Sequence, residues 1–227
     1  MTIANWILLG ALIIIIGLLI VSYIIKHAML QKICECLIIP FFGALNILLL
    51  RDFLPDSLHL IKVTIFALSI ATLSTVFLAF ERIKLLRIFG RIFILANVFC
   101  WCTLYRTVFF IHKVPLWLII LMCAIYLTGT VIAIILSGKQ DVRFYILFAF
   151  GFALSSYLHF CSLIFLCYET TGHTIMLFAG TSIFLALTAF HFINQAKLKF
   201  KHAGKIRYSI LVISQILIAC SNILMIK

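Results

Sequence analysis

The sequence predicts an all-α membrane protein, a bundle of eight transmembrane helices, and three observations lead to it. Hydrophobic residues make up 66% of the chain and charged residues only 11%, where a soluble domain carries about 25%. The apolar runs are each about 20 residues long, the length that crosses a bilayer as a helix. They are also continuous, whereas the strands of a membrane barrel alternate apolar and polar positions. Three prolines and ten glycines in 227 residues leave no room for a Pro/Gly-rich linker. Residues 1–227 therefore read as a single integral membrane domain.

The first run, 5–25, follows MTIAN, which has no Lys or Arg. It is too long for a signal-peptide core and lacks a small-residue cleavage site, so it is expected to be a retained span. The second, 33–50, carries Glu35, Gly43 and Asn46 on one face. The third, 58–80, spaces Ser69, Thr72 and Thr75 by three; the fourth, 88–111, spaces Asn97, Trp101 and Tyr105 by four. These intervals place side chains on one helical face. The fifth, 115–137, is plain. The sixth, 144–167, aligns Gly151, Ser155, His159 and Ser162; the seventh, 173–194, aligns Thr181, Thr188 and His191 with Gln195, Asn194 beside them. The eighth, 208–226, repeats Tyr208, Gln215 and Asn222 every seven residues.

Polar side chains in a bilayer turn away from the acyl tails. Spans 2, 3, 4, 6, 7 and 8 are accordingly expected to surround a polar-lined interior, with spans 1 and 5 facing lipid more fully. The expected cavity-lining residues are Thr75, Asn97, Tyr105, Ser155, His159, Thr188, Asn194, Gln215 and Asn222. The competing reading of the same residues is helix-packing glue, in which small and polar side chains bond across interfaces.

The 18 Lys and Arg against 6 Asp and Glu give a formal charge of +12. In a chain so apolar this excess belongs to topology and anionic headgroups rather than to nucleic acid. Lys26, Lys32, Arg82, Lys84, Arg87, Arg91, Lys139 and Arg143 flank the loops after spans 1, 3 and 5, and five more basic residues crowd QAKLKFKHAGKIR, after span 7. Only Arg51, Lys62, Arg106, Lys113 and Lys227 fall on the other side. The positive-inside rule then expects the odd-numbered loops in the cytoplasm and both termini outside. In a bacterium the membrane is the inner, plasma membrane.

No metal or cofactor is expected. Cys34 and Cys36, like Cys100 and Cys102, are two apart, which on a helix turns them about 200° from each other. A haem between His159 and His191 fails on depth, since His159 lies roughly 24 Å from the cytoplasmic end of its span, at 1.5 Å per residue, and His191 lies near that end. The candidate catalytic residues are His191 and Glu35, an imidazole that can donate a proton and an intramembrane carboxylate.

Gly180, Phe184 and Asn194 in span 7, Gln215 in span 8 and the basic loop between them resemble the YhhN-like family of lysoplasmalogenases, as does the count of eight spans. That resemblance implies a membrane hydrolase cleaving the vinyl-ether bond of lysoplasmalogens to a fatty aldehyde and a glycerophospho-headgroup. The chain departs from the family where its carboxylates stand. It has Leu187-Thr188 in place of a Ser-Asp pair and Ser74-Thr75 in place of Gly-Asp, and Pro40 follows Ile39 rather than a lysine. Vinyl-ether cleavage needs a proton donor, and threonine is not one. The two functions carried forward are a lysolipid ether hydrolase and a non-enzymatic lipid-binding or accessory protein on the same scaffold, with membrane lipids, including a lysolipid, as partners.

Overall fold

A computed structural model of the protein describes residues 3–51, 58–80, 83–106, 114–137, 142–196 and 203–226. They form eight α-helices: α1 (Ile3–Ile24), α2 (Ala28–Arg51), α3 (Leu58–Ala79), α4 (Lys84–Tyr105), α5 (Leu116–Ser137), α6 (Val142–Tyr168), α7 (Gly172–Ala196) and α8 (Ala203–Ile226). Each is long and apolar enough to cross a membrane. The protein is thus an all-α, multi-pass integral membrane protein with the eight spans expected.

Three helices start earlier than expected. α2, α4 and α8 begin at 28, 84 and 203, about a turn before the apolar runs at 33, 88 and 208. A helix need not stop where the hydrocarbon stops, because long basic side chains reach past the edge to water. Helix α4 ends at Tyr105, and residues 107–111 of the expected fourth span lie outside the described residues. Pro40 sits inside α2 without ending it, although its ring nitrogen has no hydrogen to give the carbonyl one turn back.

Two hairpins are closed by consecutive local bonds. At the end of α1, His27 N–H donates to the Ser22 carbonyl at 3.0 Å, the six-to-one bond of a Schellman ending. The residue it encloses, Lys26, has φ of 56°, the left-handed conformation glycine usually supplies. The same His27 then starts α2: its Nδ1 accepts the Leu30 N–H at 3.1 Å and its carbonyl accepts the Gln31 N–H at 3.1 Å. Between α6 and α7, Thr171 caps the new helix. Its N–H donates to Thr174 Oγ1 at 3.0 Å, one half of a capping box with threonine in the place of glutamate, and Thr174 donates to the Glu169 carbonyl at 2.6 Å. Loops this short make the joined helices antiparallel neighbours.

The chain divides into two compact units, Met1–Trp101 with Asn222–Lys227, and Cys102–Ser221. In the first, α1 packs on α2 and α2 on α3. Side chains tie α4 to α3: Ser74 donates to the Gly90 carbonyl at 3.0 Å and Asn97 to the Ala67 carbonyl at 2.8 Å. Asn222 closes the unit by donating to Thr64 Oγ1 at 3.0 Å. In the second, α6 packs along α7, and α5 leans on both. Helix α8 meets α7 at Gly180, where an added Cβ would lie 2.9 Å from Ile218 Cγ1 and 3.0 Å from the Ile218 backbone nitrogen.

Replacing Lys26 by glycine removes the left-handed strain and should raise stability by about 1 kcal/mol, seen as a higher unfolding temperature in detergent. Gly180→Ala should cost about 1–3 kcal/mol, because the clash is with backbone and α8 must move. Gly43→Ala is the matched control. Its Cβ would meet Leu68 at an ordinary 3.6 Å, so thermal unfolding should show no loss.

Candidate functional site

A buried hydroxyl in lipid must find an acceptor within the protein, and the nearest is the carbonyl one turn back on its own helix. On α6, Ser155 donates to the Gly151 carbonyl at 2.8 Å and Ser162 to the His159 carbonyl at 2.7 Å. On α7, Thr181 and Ser182 both reach the Phe178 carbonyl, at 3.1 and 2.7 Å, and Thr188 reaches that of Phe184 at 3.2 Å. Each hydroxyl also has a partner on the facing helix, and in a hydroxyl–hydroxyl pair one of the two turns its single hydrogen from its own carbonyl to its partner's oxygen. Ser155 meets Thr188 at 2.9 Å, His159 Nε2 meets Ser182 Oγ at 3.0 Å, and Ser162 meets Thr181 at 2.6 Å. Spacings of four and three set these contacts about one turn apart on α6, their partners on α7 run in the opposite order at 188, 182 and 181, and together they fix the register of two antiparallel helices.

His159 is the centre of the ladder and its only aromatic member. Its Nδ1 lies 2.6 Å from the hydroxyl of Tyr126 on α5, so the imidazole joins three helices. Tyr126 also meets the ring edge-on at 5.9 Å, and Phe178 lies 5.0 Å away on another side. Hydrogen counting gives the bonds a direction. The single hydrogen of Ser182 goes to the Phe178 carbonyl, so Ser182 Oγ accepts from His159 Nε2–H. The neutral ring is then bare at Nδ1 and accepts from Tyr126. In that arrangement every donor is satisfied.

Beside the imidazole, α5, α6 and α7 enclose a groove of about 420 Å³. It exists because small residues line it: Gly129 and Ala133 on α5, Ala186 and Ala189 on α7. Phe152 forms its back wall, His159 and Ser182 its one polar end, and Ile193 its far end. Ile132 and Ala186 lie exposed at its mouth. The volume falls within the range of about 300–1,000 Å³ typical of ligand sites. Among the described residues no three His, Cys, Asp or Glu side chains gather as a metal would require.

No family model matches the chain, and no curated protein or solved structure is significantly similar to it.

Of the residues singled out in the sequence, His159 lines the groove, and Ser155 and Thr188 meet in the α6–α7 seam. Tyr105 is buried in the same unit, its hydroxyl 3.4 Å from Ser221 Oγ and its ring edge-on to Phe165. Gln215 is fully buried. His191 lies about one turn beyond Thr188, partly buried; the side chain of Asn194 lies outside the described residues. In the first unit Thr75 bonds its own helix through the Thr72 carbonyl, and Asn97 and Asn222 make the inter-helix bonds given above. Glu35 Oε1 accepts from Tyr23 and from Gln31, both at 2.9 Å, which fastens α1 to α2.

Sequence reasoning missed Tyr126 and left Ser182 out of the polar stripe of span 7. A tyrosine usually marks the membrane interface, yet Tyr126 lies midway along its span; that displacement was the available signal. Span 1 also holds more than expected, with Asn5 and Ser22 buried and Tyr23 on Glu35.

Tyr126→Phe leaves the imidazole Nδ1 without a donor and should cost about 1–3 kcal/mol. A double-mutant cycle of Ser155→Ala with Thr188→Val should return a coupling of only about 0.6 kcal/mol, because either hydroxyl, left alone, can turn its hydrogen to the carbonyl on its own helix. Unfolding measurements in bicelles that ranked the two the other way would contradict this account of the seam.

Proposed function

We propose that the protein is a lipid-binding membrane protein that holds a single-chain lipid in the α5–α6–α7 groove without cleaving it. The observation that carries this reading is the groove itself. It is apolar over most of its length, open at Ile132 and Ala186, and polar at one place only. Its long axis follows α7 from Ser182 to Ile193, which at 1.5 Å per residue is roughly 16 Å, about half of a hydrocarbon core of some 30 Å. That is the reach of one leaflet's acyl chain. The charge pattern supports placing the Ile193 end at the cytoplasmic face, with both termini outside, so that the lipid would enter from the inner leaflet.

The hydrolase reading draws on the family resemblance and on the Ser182–His159 contact. Chemistry weighs against it. Acid-assisted vinyl-ether cleavage needs a proton donor aimed at the scissile bond, and the groove's described lining offers no carboxyl group. Ser182 is no better as a nucleophile, since its hydrogen is given to a carbonyl rather than to the imidazole.

The test is to offer lysoplasmalogen to the protein in nanodiscs and to measure retained lipid by native mass spectrometry alongside released aldehyde. One lipid retained per protein, no aldehyde, and retention lost in Ala186→Trp, which fills the groove mouth, are expected. Aldehyde release abolished by His159→Ala, His191→Ala or Glu35→Ala would establish the enzyme instead.

A further inference from the structure

The polar end that joins α5 to α6 and α7 also meets whatever chain lies in the groove. Taking a ligand group out of contact with any partner in such a place is costly, so the chemistry of that end restricts what can lie there. The direction of the hydrogen bonds says how. Tyr126 donates to His159, His159 to Ser182, and Ser182 to the Phe178 carbonyl. The reverse order would leave the Tyr126 hydrogen without a described acceptor. In the satisfied order all three hydrogens are spent, and what faces the groove at Ser182 is a spare oxygen lone pair. The deep end accepts hydrogen bonds and offers none.

We infer that this end is a subsite for a hydroxyl carried within the lipid's chain, so that the preferred ligand is a hydroxylated acyl lipid. The inference rests on the lipid-binding reading above and specifies its ligand. A headgroup at the Ile193 end leaves the chain running inward, and a hydroxyl roughly 16 Å along it reaches Ser182 Oγ as donor. An ether or ester oxygen at the same depth brings only lone pairs against a lone pair. A carboxylate does so with charge added. An unsubstituted chain fits but gains nothing from the polar end.

The experiment is competition in nanodiscs against a bound fluorescent lysophospholipid, using three stearoyl lysophosphatidylcholines: unsubstituted, hydroxylated where the distal third of the chain begins, and the methyl ether of that hydroxyl. The hydroxylated lipid should bind about five- to tenfold tighter than the unsubstituted one, the worth of one buried hydrogen bond, and the methyl ether should show no gain. Ser182→Ala frees the His159 Nε2–H to point into the groove, so the methyl ether should then bind as well as the alcohol. Ser182→Thr keeps the oxygen and should keep the original preference, which separates the subsite from a general loss of folding. Equal affinity for all three lipids in the unaltered protein overturns the subsite and leaves the groove reading standing. Failure of all three to compete overturns the groove reading as well.

Discussion

The constraint behind this structure is that hydrocarbon supplies no hydrogen-bond partners. Each buried hydroxyl on α6 and α7 has a carbonyl of its own helix and a polar group of the neighbouring helix within reach, and gives its single hydrogen to one of them while its lone pairs remain open to a donor. Individually such contacts between membrane helices are weak, about 0.6 kcal/mol. Their value is positional. Ser155–Thr188, His159–Ser182 and Ser162–Thr181 succeed one another along the seam, and a slip of either helix by one residue would break all three together. Register is therefore fixed by the joint cost of failure rather than by the strength of any pair.

That seam determines the groove. An imidazole has two nitrogens to satisfy, and α7 satisfies only one of those on His159. The other draws in Tyr126, and with it a helix that is otherwise among the plainest in the chain. Most of α5 faces outwards, as the exposure of Trp117, Ile120, Leu127 and Ile135 shows. It is held at its middle by the tyrosine and, further along, by Ala133 against Phe148 and Phe152. Beside that attachment the facing residues are glycine and alanine, too small to fill the space. The cavity is thus the consequence of a polar anchor next to small side chains.

The sequence made the eight helices legible because continuous apolar runs admit little else in a membrane. The polar stripes were legible too, since spacings of three, four and seven put Ser155, His159 and Ser162 on one face whatever that face meets. What periodicity could not reveal was partnership. Thr188 belongs to a stripe with His191, yet its described partner is Ser155 on another helix. Tyr126 escaped because a stripe needs at least two members, and a lone tyrosine forms none. The α1–α2 turn escaped for a different reason: its left-handed residue is Lys26, so the usual glycine marker was missing and only the backbone bond from His27 to Ser22 identifies the motif. Helix starts were read about a turn late at α2, α4 and α8 because hydropathy registers the edge of the lipid, and backbone hydrogen bonding continues past it.

The same physics explains why threonine suits position 188. A threonine there can give its hydrogen to the Phe184 carbonyl and accept that of Ser155, so both sides of the seam are satisfied with neutral groups. An ionised aspartate accepts only. Ser155 could give it one hydrogen by releasing the Gly151 carbonyl, and the rest of a full charge would remain in a nearly dry interface, where burial of an unpaired carboxylate is prohibitive. A carboxylate at this position requires water or further donors close by, which means a seam opened around it. A closed, adhesive α6–α7 seam and an acid at 188 are alternatives, and the sequence holds the residue that closes it.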